Sequence, residues 1–343
     1  MKVGIGLSGG VDSAVSALLL MERGYEVEGW TMALGRDGEE KSIDEAREVA
    51  SHISIPFHVC DLAESWKTNV RDYIRSTYLS GETPNPCVQC NEFVKFRLLP
   101  AAAFAAGCDF FATGHYARLA PGQNGRTMLL RGKDAAKDQS YFLYRVSQDV
   151  LKRTIFPLGD LLKSEVRQIA LKHGMRVASK GDSQDFCGGS VRDIVLAHDS
   201  AEAGCAEEMK GDICDKDGKF LAKHSGFWQF TVGQRKGLGI GGGGIPWYVT
   251  HIDAAKNRVV VAHAEDALCK TLSVRDMRWV SVEPTREPLD TLVKIRSAGR
   301  FIRARLEEDK AFFEEGVAGI APGQSAVFYS PDGQTLLCGG IIK

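Results

Sequence analysis

Ser8-Gly9-Gly10-Val11-Asp12-Ser13 stands between two apolar runs, Val3-Gly4-Ile5-Gly6-Leu7 and Ala14-Val15-Ser16-Ala17-Leu18-Leu19-Leu20-Met21. The first is short and reads as a buried strand; the second is long enough for a helix. A glycine-rich turn from a strand into a helix N-terminus is an anion site. Backbone N–H groups converge there, the helix dipole adds positive potential, and glycine lets the backbone approach a phosphate. The backbone of Gly6, Leu7, Ser8, Gly9, Gly10, Val11, Asp12 and Ser13 is therefore the candidate nucleotide cradle, with Asp12 and Ser13 where a helix cap belongs. No Lys-Ser/Thr pair closes the loop, so it is not a Walker A loop.

Outward from this stretch, strand and helix patterns alternate. Residues 26–34 read as a second strand, 42–53 as a helix with Ser42 and Glu45 spaced as a capping box. Residues 57–60 read as a third strand, 62–79 as a longer helix and 109–115 as a fourth strand. A helix over 161–173 ends at Gly174, and 175–178 read as another short strand. Such alternation argues for a parallel α/β sheet with its ligand at the strand C-terminal ends, where Met32 and Gly114 fall. After about residue 195 the helical period fades. Residues 211–220 resemble a polar hairpin, 237–244 are dense in glycine, and 247–343 hold short β-branched or alternating runs bounded by turn residues. The expected division is a catalytic domain over 1–195, a small β-rich domain over 196–246 and an antiparallel β-barrel over 247–343.

The 343 residues are 44% hydrophobic and 25% charged, the composition of a globular chain. No apolar run approaches the roughly 20 residues of a membrane span. A strand directly after Met1 leaves no room for a signal peptide, and the nine cysteines read as thiols rather than a disulfide framework. The expected location is the cytoplasm, with no membrane partner. Net charge is −1, but residues 126–192 carry 13 Lys and Arg against 7 Asp and Glu, an excess of +6 suited to a polyanion.

Two further stretches carry chemistry. Gly81-Glu82-Thr83-Pro84-Asn85-Pro86-Cys87-Val88-Gln89-Cys90-Asn91 holds two prolines that keep it out of helix and sheet, so a rigid exposed loop displaying Cys-x-x-Cys is expected. Such a pair is redox-active, metal-ligating or incidental, and no second pair at zinc spacing accompanies it. Asp182-Ser183-Gln184-Asp185-Phe186-Cys187-Gly188 displays one more cysteine in a polar loop.

Ser8 to Ser13 looks like the PP-loop of the ATP pyrophosphatases, which cleave ATP between its α- and β-phosphates to adenylate a substrate. The three stretches together resemble the bacterial and mitochondrial tRNA-specific 2-thiouridylases. Ala112-Thr113-Gly114-His115-Tyr116, Lys137-Asp138-Gln139-Ser140-Tyr141-Phe142-Leu143, Phe156-Pro157-Leu158-Gly159, residues 231–241 and residues 322–329 match the same family. The resemblance implies an adenine nucleotide α-hydrolase-like PP-loop domain, a central β-rich domain and a C-terminal barrel. It implies ATP and Mg²⁺ as cofactors, tRNA as substrate and a sulfur-relay or cysteine desulfurase protein as donor. Activity would proceed by adenylation of the uridine 2-oxygen, attack by a persulfide on Cys187, and resolution by Cys90. For RNA contact it points to Asn85, Pro86 and Cys87 at the target base, and to His115, Lys137, Asp138, Gln139, Arg296, Ser297 and Gln324. Arg235 and Lys236 are further phosphate candidates.

Many members of that family have an aspartate, proposed as the general acid/base, where this chain has Cys87. That removes a carboxylate acid/base, for which Asp185 is a substitute candidate, and creates a set of Cys87, Cys90 and Cys187. Three thiolates suit a [4Fe–4S] cluster with one open iron, the alternative sulfur carrier. Residues 188–192 also depart from the family's more hydrophobic continuation. Rival readings are a PP-loop ligase or amidotransferase for a small molecule, and an RNA-binding or iron–sulfur carrier protein with a vestigial loop.

Overall fold

The computed structural model describes residues 1–179, 190–196, 210–240 and 244–343. Strands β1 (Lys2–Gly6), β2 (Glu26–Ala33), β3 (Phe57–Asp61) and β4 (Phe110–Ala112) appear first. A hairpin of β5 (Ala117–Pro121) and β6 (Thr127–Arg131) follows, then β7 (Thr154–Ile155). The first sheet runs β3-β2-β1-β4-β7, every neighbour parallel. Val3 and Ile5 of β1 are fully buried, because helices cover both faces. Val11–Glu22, Glu40–His52 and Lys163–Lys172 pack on one side and Leu98–Ala105 on the other. The chain leaves β1 toward β2 and returns beyond it to β4. The switch point of the sheet therefore lies at the C-terminal end of β1, where open α/β sheets bind ligands.

The second sheet has the order β10-β11-β8-β9, from β8 (Gly211–Asp215), β9 (Phe220–His224), β10 (Tyr248–Asp253) and β11 (Arg258–Ala262). The hairpin expected near residue 211 is the β8–β9 pair. β10 and β11 lie beyond the expected division at 246/247, yet they join this sheet, because β11 runs parallel to β8 from Arg258 opposite Asp212. The third sheet is antiparallel. It contains β12 (Leu268–Trp279), β13 (Leu289–Lys294), β14 (Ile302–Glu307), β15 (Lys310–Ala318), β16 (Ser325–Tyr329) and β17 (Thr335–Ile342). Its order is β12-β15-β14-β13-β16-β17, and a β12–β17 pairing closes it into a barrel. The β5–β6 hairpin of the first domain extends this sheet at β17, Leu336 opposite Leu129. A buried core of Leu129, Tyr141, Tyr144, Val327, Tyr329 and Leu336 joins the two domains.

Several local expectations are corrected. The helix Val11–Glu22 is capped by Gly10, which puts Asp12 inside its first turn rather than at the cap. Glu39 precedes Glu40–His52, and its carboxylate accepts the N–H groups of Leu34 (2.8 Å) and Gly35 (2.9 Å); the Ser42 hydroxyl donates to the Glu39 carbonyl instead of forming a capping box. The helix expected over 62–79 is interrupted by a π-helical turn, Lys67–Arg71. Residues 176–179 coil into a 3₁₀ turn rather than a strand, with Met175 buried in the helix-covered core.

Gly339 of β17 permits a close approach between the barrel and the first domain. A Cβ there would stand 2.6 Å from Tyr144 Cδ2 and 2.8 Å from Cγ of the same fully buried ring. Gly339→Ala should therefore lower stability by about 1–3 kcal/mol through overpacking. A urea midpoint equal to that of the parent would contradict the assignment.

Candidate active site

Leu7 continues β1 by donating its N–H to the Trp30 carbonyl (2.8 Å), and the chain then turns through Ser8, Gly9 and Gly10. Gly9 has φ +69°, and a Cβ there would lie 2.7 Å from Glu45 Cβ, so the turn needs glycine. The Ser13 hydroxyl ties the loop: it accepts the Ser8 N–H (3.2 Å) and donates to the Gly10 carbonyl (3.1 Å). No side chain caps the helix, which leaves its first-turn N–H groups directed at the space above the loop. Gly114 closes one flank: a Cβ would stand 2.8 Å from both the Asp12 carbonyl carbon and the Ser13 nitrogen. Met32 lies near the end of β2, opposite Cys60 of β3. Leu7 and Val11 are buried and hold the loop from beneath.

Asp12 has two partners that its local sequence does not announce. Tyr116 Oη donates to Oδ1 at 2.7 Å, and Lys163 Nζ stands 2.7 Å from both carboxylate oxygens. The Lys163 side chain is only 10% exposed. It is delivered by the first turn of Lys163–Lys172, whose entry is fixed by the Lys163 N–H on the Asp134 carboxylate (2.9 Å). Within 156–172 nothing local reveals that this lysine faces the glycine-rich loop. A buried tyrosine two residues past Gly114 was the only hint.

The cysteine stretch is not the exposed loop its prolines suggest. Pro86 takes the first helical position, where its missing N–H costs nothing, and Pro86–Cys90 forms a short helix continued by a π-helical turn, Asn91–Lys95. Cys87 is exposed, whereas Cys90 is 7% exposed. Cys90 packs with Leu34, Trp66, Val70, Ile74, Val94 and Ile194, and Met32 lies against the same cluster. The cysteine helix thus lies at the end of β2, on the same edge of the parallel sheet as the glycine-rich loop. Cys187, and with it Asp185, lies outside the described residues. The chain resumes at Ser190, and Ile194 packs into the cluster that holds Cys90. Among the described residues no group of three or more His, Cys, Asp or Glu is arranged to hold a metal ion.

The barrel fixes the approach to this helix. The Pro322 carbonyl accepts the Thr83 N–H (2.8 Å), and the Gln324 amide donates to the carbonyls of Thr83 (3.2 Å) and Pro84 (2.8 Å). Asn85, 8% exposed, precedes the helix near the Tyr141 hydroxyl, which donates to the Ser325 carbonyl. Asn85, Pro86, Cys87 and Gln324 are thereby brought together.

The other expected RNA contacts differ in setting. Asp138 is 1% exposed and its carboxylate accepts Arg131 Nε (3.1 Å), the Gly132 N–H (3.1 Å) and both the N–H and hydroxyl of Ser140. Gln139 accepts the Tyr116 N–H through Oε1 (3.0 Å). His115 is buried between Phe96 and Phe156 with Nδ1 2.8 Å from the Thr113 hydroxyl. Burial, seconded by Lys95, holds its pKa well below the usual imidazole value, so the ring is neutral. Lys137 is half-buried, and Arg296 and Ser297 lie in the turn after β13, Arg296 exposed. Arg235 and Lys236 are exposed.

Three family descriptions match the chain in succession: a tRNA methyl transferase HUP domain over residues 1–188, a tRNA methyl transferase PRC-barrel domain over 203–263 and an aminomethyltransferase β-barrel domain over 269–342. The tRNA-specific 2-thiouridylase MnmA of Endomicrobium trichonymphae is 40% identical over 366 aligned positions, covering 100% of this chain and 99% of its own length. That of Acidithiobacillus ferrooxidans is 42% identical over 353 positions, covering 100% and 98%. The Clostridium acetobutylicum protein of the same name is 40% identical over 364 positions, covering 100% and 99%. No helix among the described residues is long and apolar enough to cross a membrane.

Asp138→Ala strands a half-buried guanidinium, two N–H groups and a hydroxyl at once. A loss of about 3–5 kcal/mol is expected in urea unfolding; a loss below 1 kcal/mol would show that the carboxylate is dispensable to the fold. Because the folded-state pKa of His115 is depressed, its contribution is intact above the unfolded imidazole value near 6.5 and fades as pH falls below it. His115 ring resonances should not titrate between pH 6 and 8 in NMR spectra; a midpoint in that window would refute the neutral assignment.

Proposed function

The chain belongs to the tRNA-specific 2-thiouridylase family, and we propose that it replaces the 2-oxygen of the wobble uridine of tRNA with sulfur, using ATP. The observation that supports this reading is the apolar cluster shared by Cys90, Leu34 and Met32, which sets a thiol at the end of β2, the same edge of the parallel sheet from which the glycine-rich loop leaves β1. A small-molecule ligase would use the loop and have no need of the thiol.

The anticodon base must leave its stack to reach the sheet end. Asn85, Pro86 and Cys87 receive it, and the half-buried Lys137 and exposed Arg296 meet the RNA backbone. The uridine 2-oxygen attacks the α-phosphorus of ATP, an O–P bond forms, and pyrophosphate leaves. First-turn N–H groups of Val11–Glu22 bind phosphate oxygens without reorganisation. The oxygen donors of the loop, the Asp12 carboxylate with the Ser8 and Ser13 hydroxyls, suit Mg²⁺. When bound, that ion neutralises charge on the departing pyrophosphate.

Sulfur arrives as a persulfide on Cys187, loaded by a protein persulfide donor. Its terminal sulfur attacks C2, and AMP departs with the original oxygen. The Cys90 thiolate then attacks Sγ of Cys187 and breaks the bond to the transferred sulfur. The base keeps the thiocarbonyl, a Cys90–Cys187 disulfide forms, and an external thiol reductant reopens it. Cys87, one turn from Cys90 and exposed, favours a second reading in which Cys87, Cys90 and Cys187 carry a [4Fe–4S] cluster.

Asp12→Ala should abolish tRNA-dependent AMP formation. Cys90→Ala should keep AMP formation and lose thiolation by at least about 10³-fold, as removal of a nucleophile does. Both are read with anaerobic protein and a persulfide donor, iron being quantified alongside. Thiolation retained in Cys90→Ala refutes the reading, and full thiolation by iron-free protein refutes the cluster route.

A further inference from the structure

Two carboxylates bracket the cysteine helix: Glu82 lies four residues before Pro86, and Glu92 two residues after Cys90. Each is held by arginines from outside the segment. Arg275 of β12 grips Glu82 with both terminal nitrogens, Nη1 at 2.9 Å from Oε1 and Nη2 on Oε2. Glu92 accepts Nε of the buried Arg145, with Nη2 at 3.4 Å, and Arg278 Nη2 stands 3.7 Å from Oε1.

Arg275 and Arg278 are three residues apart on one strand. Alternation would send them to opposite faces. They share a face because β12 bulges between them: Arg275 pairs with Ile341 and Arg278 with Gly339, three steps on β12 against two on β17. Asp276 takes φ +52° at the bulge, a left-handed conformation that a non-glycine residue adopts at a cost. The one extra residue restores the period of two. A helix of five residues cannot hold its own orientation, since its nucleation is unfavourable without tertiary support. The arginine pairs supply that support at both ends.

We propose that the β12 bulge is a positioning device for sulfur transfer: by placing Arg275 and Arg278 on one face, it clamps Glu82 and Glu92 and sets the turn that presents Cys87 and Cys90. This rests on the sulfur role given to Cys90 above. The glycine-rich loop is anchored on β1 and the clamp on β12, so the two half-reactions respond differently to the loss of the clamp.

The test uses Arg275→Met, Arg278→Met, Glu82→Gln and the exchange Glu82→Arg/Arg275→Glu, all in the full chain. Three rates are measured: tRNA-dependent pyrophosphate release, single-turnover thiolation, and alkylation of Cys87 and Cys90 by iodoacetamide followed by mass spectrometry. Thiolation should slow roughly tenfold or more and pyrophosphate release clearly less, the signature of a misplaced reacting group. Cys90 alkylation should accelerate, and the exchange should recover most of the thiolation lost in Arg275→Met. Unchanged thiolation in Arg275→Met and Arg278→Met, an equal fall in both half-reactions, or unaltered Cys90 alkylation would overturn the proposal. Cys90→Ala separates the two inferences: thiolation surviving in it refutes the sulfur role, while Cys87 alkylation in the arginine variants still reports the clamp.

Discussion

The carboxylate of Asp12 sits in the first turn of an uncapped helix, at the one point where the parallel sheet changes direction. Alone, a negative charge there would favour the helix dipole and repel any anion brought to the loop. Lys163 and Tyr116 neutralise it from two different elements. That interaction connects the start of the chain to the helix Lys163–Lys172 and to the segment after β4, and Gly114 must lack a side chain for the segment to come so close. The geometry of the loop is thus a property of three distant parts of the chain.

The C-terminal barrel is a scaffold as much as a surface. Its strand β17 receives the β5–β6 hairpin of the first domain, and Pro322 and Gln324 pair with the backbone that leads into the cysteine helix. Several buried polar groups at this junction pair across it. Tyr141 donates to the Ser325 carbonyl, Tyr329 meets the Ser140 hydroxyl at 3.0 Å, and Asp138 gathers Arg131, Gly132 and Ser140. Networks of this kind are costly when incomplete, which fixes the barrel against the catalytic sheet in one arrangement. Sequence segments that resemble RNA contacts therefore also hold the fold: Asp138 and Gln139 are occupied by internal partners.

Much of this was legible in the chain itself. A glycine-rich stretch between two apolar runs announces a tight turn from a strand into a helix, and strand–helix alternation announces a parallel sheet, because both are local consequences of apolar period and glycine placement. The short β-rich runs after residue 247 announced antiparallel pairing but not its partners. β11 pairs with β8, Arg258 opposite Asp212, and β10 joins that sheet only through β11; periodicity carries no information about which edge a strand will find. Pro86 was read as a helix breaker, whereas at the first helical position it starts one.

By itself the sequence determined the class of fold, the position of the nucleotide loop and the identity of the cysteines, since each depends on residues adjacent in the chain. Only the tertiary structure decided what surrounds them. It set Lys163 on Asp12, buried His115 as a neutral ring, seated Cys90 in the apolar cluster at the end of β2, and turned Arg275 and Arg278 to one face through a bulge. These are contacts between residues tens to hundreds of positions apart. Their energies come from desolvated charge and close packing, which exist only once the chain has closed on itself.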